Sequence, residues 1–203
     1  MILKLEYFEN GRYKIPGAKA TANGADRLVL ITESLEAFEK RILIDGLGVV
    51  LYNEVLVALK DLENASQPLQ DLIKGKNYEY NGMNVNWEGL QGSDSLLVSF
   101  AYSQWVLEAQ DILTTFGTQQ PEAINSTEVS AQPRFASAYN EFFNKYQGVE
   151  ELPRVIHRSA GVGIDWYGSR KPNRTLMQFL QENAIDYPDA VFTMKEPVNS
   201  WGI

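Results

Sequence analysis

Leu28, Ile31, Leu35, Phe38 and Ile42 recur at alternating steps of three and four, which places them on one face of a helix. Gly46 and Gly48 close that helix. A second stripe of Tyr52, Val55, Leu59 and Leu62, widened by Val49 and Leu56, predicts another helix packed antiparallel on the first through a short link. A brief helical piece around Pro68 to Ile73 precedes Gly75. Val98, Tyr102, Trp105, Ala109, Ile112 and Phe116 then follow a four-three alternation. Leu96, Leu97, Phe100, Ala101 and Leu107 make this segment apolar nearly all round, the pattern of a central helix. Ser93 or Asp94 is placed to cap it and Gly117 to end it. Phe135, Ala138, Tyr139, Phe142, Phe143 and Tyr146 give a fourth substantial helix. A short fifth piece starts near Thr175, where Thr175 and Gln178 have capping-box spacing ahead of Leu176, Phe179 and Leu180.

Between these stretches the helical period fails. In residues 1–25, Leu3, Leu5 and Tyr7 alternate with polar neighbours before Gly11, Pro16, Gly17 and Gly24, which predicts one short strand and an irregular arm that must lie on something else. Residues 77–88 alternate around Asn81–Gly82, a pair that supplies the positive φ angles of a type I′ turn, and predict a β-hairpin. Residues 117–133 form a long polar connection that is expected to be either mobile or ordered by a partner. After Gly148 comes a Gly- and Pro-rich stretch, and the segment from Tyr187 carries Pro188 and Pro197 to an apolar end at Trp201 and Ile203. It is expected to dock on its own bundle or on another chain. The fold class is therefore mainly α: a bundle of about four helices over 26–147 with an inserted hairpin, an N-terminal arm over 1–25, and a C-terminal extension over 148–203 with one short helix.

The 203 residues are 44% hydrophobic and 22% charged, enough to build a core. Eighteen basic against 26 acidic residues leave a formal charge of −8, which disfavours a dedicated nucleic-acid surface. There is no cysteine, so disulfides, thiolate metal sites and cysteine nucleophiles are excluded together. His157 is the only histidine, and no carboxylate cluster has ligand spacing, so neither a metal nor a cofactor is expected. Gly161-Val162-Gly163 lacks the third glycine of a dinucleotide fingerprint. The pairs Glu150–Glu151 and Asp186/Asp189 read as solvated acids. The start of the chain lacks signal-peptide character, and no apolar run reaches the roughly 20 residues of a membrane span. One local concentration of positive charge remains, Arg154, Arg158, Arg170 and Lys171; it reads first as a solvated loop, and as a contact it suits an acidic neighbouring subunit better than base reading.

The order of certain runs carries a resemblance. These are Leu72-Ile73-Lys74-Gly75-Lys76-Asn77-Tyr78-Glu79-Tyr80-Asn81-Gly82, then Trp87-Glu88-Gly89-Leu90, Phe100-Ala101-Tyr102-Ser103-Gln104-Trp105, Thr114-Thr115-Phe116-Gly117 and Ala138-Tyr139-Asn140-Glu141-Phe142. With Gly11-Arg12-Tyr13-Lys14-Ile15-Pro16 and Asn199-Ser200-Trp201-Gly202-Ile203, this set resembles the head–tail connector proteins of tailed phages infecting Bacteroidetes, crAss-like phages included. The resemblance implies a non-enzymatic virion protein of the neck, assembled in the host cytoplasm. Its copies form a ring, commonly twelvefold, that contacts the portal protein and the next tail ring while genomic DNA passes without being read. It implies no cofactor and no catalytic residue. Partner contacts are expected at Tyr13, Ile15, Asn81, Gly82, Arg154, Arg158, Arg170, Lys171, Trp201 and Ile203. The alternatives are a tail-completion or stopper protein of the same neck, or a small cytoplasmic helical binding protein of unrelated role.

Overall fold

The structure, a computed structural model, describes residues 1–19, 25–108, 112–114, 117–119, 132–148, 154–158, 161–165 and 172–198. It is mainly helical. Helix α1 spans Ala25–Ala58, α2 Gln67–Lys74, α3 Leu96–Glu108, α4 Gln132–Tyr146 and α5 Leu176–Glu182. The predicted stripe of α1 points inward: Ile31, Leu35, Phe38 and Ile42 are all buried. The expected turn between two helices is a single residue. Gly48 alone leaves helical dihedrals, at φ 79° and ψ 164°, and no loop intervenes. The element ends at Ala58, so Leu59 and Leu62 reach the core from the turns beyond it.

Helix α3 is the centre of the bundle, as its apolar circumference requires, and packs on α4 and α1. Phe100 meets Phe142 with ring centroids 4.9 Å apart, and Phe142 meets Tyr146 at 5.3 Å. Full burial of aromatic side chains of this size stabilises the fold by about 1.5–3 kcal/mol each. The helix starts directly after Ser95, not at Ser93 or Asp94, and its described part stops at Glu108. Its predicted continuation to Phe116 is wrong. Ile112–Thr114 is strand β3, paired antiparallel with β4, Gly117–Gln119, which also begins the predicted loop with a strand.

The hairpin expected around Asn81–Gly82 is present as β1, Lys76–Tyr80, and β2, Met83–Trp87, in a register running from Lys76 opposite Trp87 to Tyr80 opposite Met83. Asn81 (φ 50°) and Gly82 (φ 75°) both take the positive φ that a two-residue primed turn requires. A third hairpin, β5 Arg154–Arg158 with β6 Gly161–Asp165, replaces the irregular stretch expected there.

At the base of the first hairpin, Trp87 stacks on Phe179 of α5 at 5.3 Å, and its indole N–H donates to the Leu72 carbonyl at 3.0 Å. The segment before α5 runs alongside β2: the Asn86 amide donates to Pro172 O at 2.7 Å, and the Arg174 amide to Asn86 O at 2.8 Å. Helix α5 opens with the predicted capping box. The Thr175 hydroxyl accepts from the Gln178 amide while the Gln178 side chain accepts from the Thr175 amide.

The N-terminal arm is not a strand. Leu5–Phe8 form a 3₁₀ turn, and Ile2, Leu3, Phe8, Tyr13, Ile15 and Ala18 join the same core as the bundle. Leu176, Phe179, Leu180 and Tyr187 from the other end of the chain join it too.

Candidate functional site

Three side-chain clusters fix irregular segments to the bundle. In the first, the Glu39 carboxylate on α1 is buried and accepts the Ile2 amide on both oxygens, at 3.0 and 2.9 Å, and the Leu3 amide at 2.7 Å. The segment before the 3₁₀ turn has no ladder of its own, so an acceptor must come from elsewhere. Burial raises the Glu39 pKa above its ordinary value, opposed by the Leu3 and Ile2 amides, which favour the charged form.

The second cluster lies where α1 breaks. Because Gly48 leaves the helix, carbonyls of the preceding turn lose their i+4 partners. The C-terminal segment supplies substitutes: Val191 N–H donates to Leu47 O at 3.2 Å and Thr193 N–H to Asp45 O at 2.6 Å. Lys195 Nζ reaches the Asp45 carboxylate at 2.6 Å, and Gln147 brackets the Lys195 backbone, donating to its carbonyl at 2.9 Å and accepting its amide at 2.7 Å. The Tyr146 hydroxyl donates to Thr193 O at 2.8 Å, and Asn140 pairs with both backbone groups of Val198. Burial pushes the Tyr146 phenol well up, and the Asp45 charge adds to this.

In the third cluster, Arg174 Nε lies 3.0 Å from a Glu182 oxygen, with both side chains buried or nearly so. The Tyr78 hydroxyl donates to the same carboxylate at 2.6 Å, tying β1 to α5. Burial raises the Tyr78 phenol, and the hydrogen bond to Glu182 raises it further.

The exposed surface offers the candidate contacts. Asn81 and Gly82 are exposed at the tip of the first hairpin, with nothing within 4 Å of a Cβ built on Gly82. Val29, Leu30, Val49, Val50, Val57, Ile185, Val191 and Met194 are exposed aliphatic side chains. A cleft of about 470 Å³ lies between Arg12, Lys14, Tyr102 and the first turns of α4 at Arg134 and Ser137. Arg12 forms an ion pair with Glu141 and also donates to the Ser137 hydroxyl at 3.0 Å.

Of the residues expected to meet a partner, Asn81 and Gly82 stand free at the surface. Tyr13 and Ile15 do not: they are buried in this chain's own core, Tyr13 against Tyr102 at 5.3 Å. The arm has apolar side chains that its own bundle can cover, and intramolecular burial claims them. Burial raises the Tyr13 phenol, with Glu141 adding to the effect. Arg154 and Arg158 occupy β5, at the ends of its register, opposite Asp165 and Gly161. Arg170, Lys171, Trp201 and Ile203 lie outside the described residues, as does most of 117–133. Sequence reasoning missed Glu39, Asp45 and Glu182. Their partners lie far away in sequence, or in the last case on another element, so no local spacing marks them.

Among the described residues no group of three or more His, Asp or Glu is placed to hold a metal ion, and no helix is long and apolar enough to cross a membrane. No family model, curated protein or solved structure matches the chain.

Proposed function

We propose that this chain is a non-catalytic assembly protein of a tailed-phage neck, one subunit of a ring that joins portal to tail and lets the genome through. The observation that carries the reading is the use of the interior charges. Glu39, Asp45 with Lys195, and Arg174 with Glu182 each tie an irregular segment to the bundle. With its irregular segments tied down in this way, the hairpin tip and the exposed aliphatic residues remain outside for neighbours. The ordered likeness to head–tail connectors supports the ring, and an acidic net charge suits a passage in which DNA must not stick.

Sedimentation velocity and negative-stain microscopy of the purified chain test this. Ring-shaped particles are expected, together with antibody labelling at the neck of intact virions. A chain that stays monomeric at high concentration and is absent from virions overturns the proposal.

A further inference from the structure

The segment before α5 leaves one strand edge open. Asn173 bridges Asn86 of β2 in the parallel sense, and Asn86 takes both bonds of that bridge. Its amide donates to Pro172 O, and its carbonyl accepts the Arg174 amide. In a parallel bridge of this kind the N–H and C=O of the facing residue point to the other side. Among the described residues neither backbone group of Asn173 is hydrogen-bonded. Asn173 borders a pocket of about 130 Å³ whose apolar lining is Trp87 and Leu96, both buried. Helix α4 lines the same pocket with Asn144 and Lys145.

Asn144 is the second uncommitted group. Among the described residues its side-chain amide makes no hydrogen bond. The same helix already uses such a side chain to hold extended backbone. One turn earlier, Asn140 accepts the Val198 amide at 3.0 Å and donates to the Val198 carbonyl at 2.7 Å, the pairing that a carboxamide offers a peptide group. The charges around the pocket, by contrast, are matched. Lys145 lies 3.3 Å from the Asp94 carboxylate and 3.7 Å from those of Glu88 and Glu141, and Arg174 is paired with Glu182 at 3.0 Å. A phosphate or carboxylate entering here would meet no uncompensated cation. A peptide group would meet unbonded donors and acceptors from two elements.

We infer that this pocket receives an extended, uncharged segment of another chain. The segment adds one more strand at Asn173, beyond β1, β2 and residues 172–174. One of its peptide groups pairs with the Asn144 side chain, and one small side chain lies against Trp87 and Leu96. Strand addition of this kind takes its affinity from main-chain bonds and its selectivity from the pocket beside the edge. The site goes beyond the ring reading and does not depend on it.

Nuclear magnetic resonance titration of the full chain with the blocked peptide acetyl-Thr-Val-Thr-Val-amide tests the site. The Asn173 backbone amide and the Asn144 side-chain amide are expected to shift together and to saturate. Asn144→Leu should weaken binding about fivefold, the worth of one hydrogen bond, without moving the thermal melt, because that side chain bonds nothing in the free fold. Methylating the backbone amides of the peptide removes the donors that the edge requires and should abolish the shifts. Inorganic phosphate should leave both resonances in place. No shift at either amide up to the solubility limit of the peptide, equal binding by the methylated peptide, or saturation of the same resonances by phosphate overturns the inference. None of these outcomes touches the ring reading, which particle assembly decides separately.

Discussion

Lys195 meets Asp45 at 2.6 Å across 150 positions of sequence, and the pair closes the C-terminal segment onto the break in α1. Both side chains are largely shielded, at 16% and 29% exposure, so the pair outweighs a freely solvated one. A double-mutant cycle with Asp45→Asn and Lys195→Met is expected to return a coupling of about 1 kcal/mol in urea unfolding. Additive single effects would show that the segment is held by its backbone bonds alone.

Gly48 is the second test of that closure. Its φ of 79° with ψ 164° lies in a region that only glycine occupies readily, and a Cβ there would stand 3.3 Å from Val191 Cβ. Gly48→Ala should cost about 2 kcal/mol, mostly backbone strain. The Val191 and Thr193 amides should lose hydrogen-exchange protection before the rest of the molecule does. Equal loss everywhere would mean that break and segment are not locally coupled.

Glu39 governs the other end. Glu39→Ala leaves the Ile2 and Leu3 amides without acceptors and is expected to destabilise the fold by about 2–4 kcal/mol. The folded pKa of Glu39 is raised above its ordinary 4.5, so the folded state binds this proton more tightly than the unfolded chain does. Its stabilising contribution is therefore complete below that value and declines as the pH rises through the raised one. The stability of wild type relative to Glu39→Gln should consequently improve as pH falls from about 8 to about 4. Urea titrations at each pH measure this, and a trend of the opposite sign would contradict the burial argument.

Phe179 is fully buried and touches Trp87, Tyr78 and Tyr187. Phe179→Ala should cost about 3–5 kcal/mol and loosen the hairpin from α5, visible as a changed near-ultraviolet tryptophan signal. Asn81→Ala at the exposed tip should cost far less, since only the turn conformation is affected. Comparable losses from both would mean that the tip is packed.

Elements that bury one face by local period were legible in the sequence: the α1 stripe, α4, the Asn81–Gly82 hairpin and the Thr175 capping box. The errors arose where a short apolar run fits two periods. Ile112 and Phe116 extend the helical spacing of α3, yet Ile112–Thr114 pairs with Gly117–Gln119 as a ribbon. In the arm, alternating Leu3, Leu5 and Tyr7 suggested a strand, whereas adjacent Ile2 and Leu3 are what the core takes. The β5–β6 ribbon escaped notice because Gly161 and Gly163, which lie within β6, resembled loop residues. The pocket beside Asn173 was invisible because it depends on how the segment before α5 meets β2 and α4.

Glu39 and Asp45 are six residues apart on one helix, about 9 Å of axial rise. One receives residues 2 and 3 and the other residues 193 and 195, so opposite extremities of the polypeptide are moored to neighbouring turns of α1. Tension applied between those extremities would load this short stretch of helix before it reached the aromatic interior.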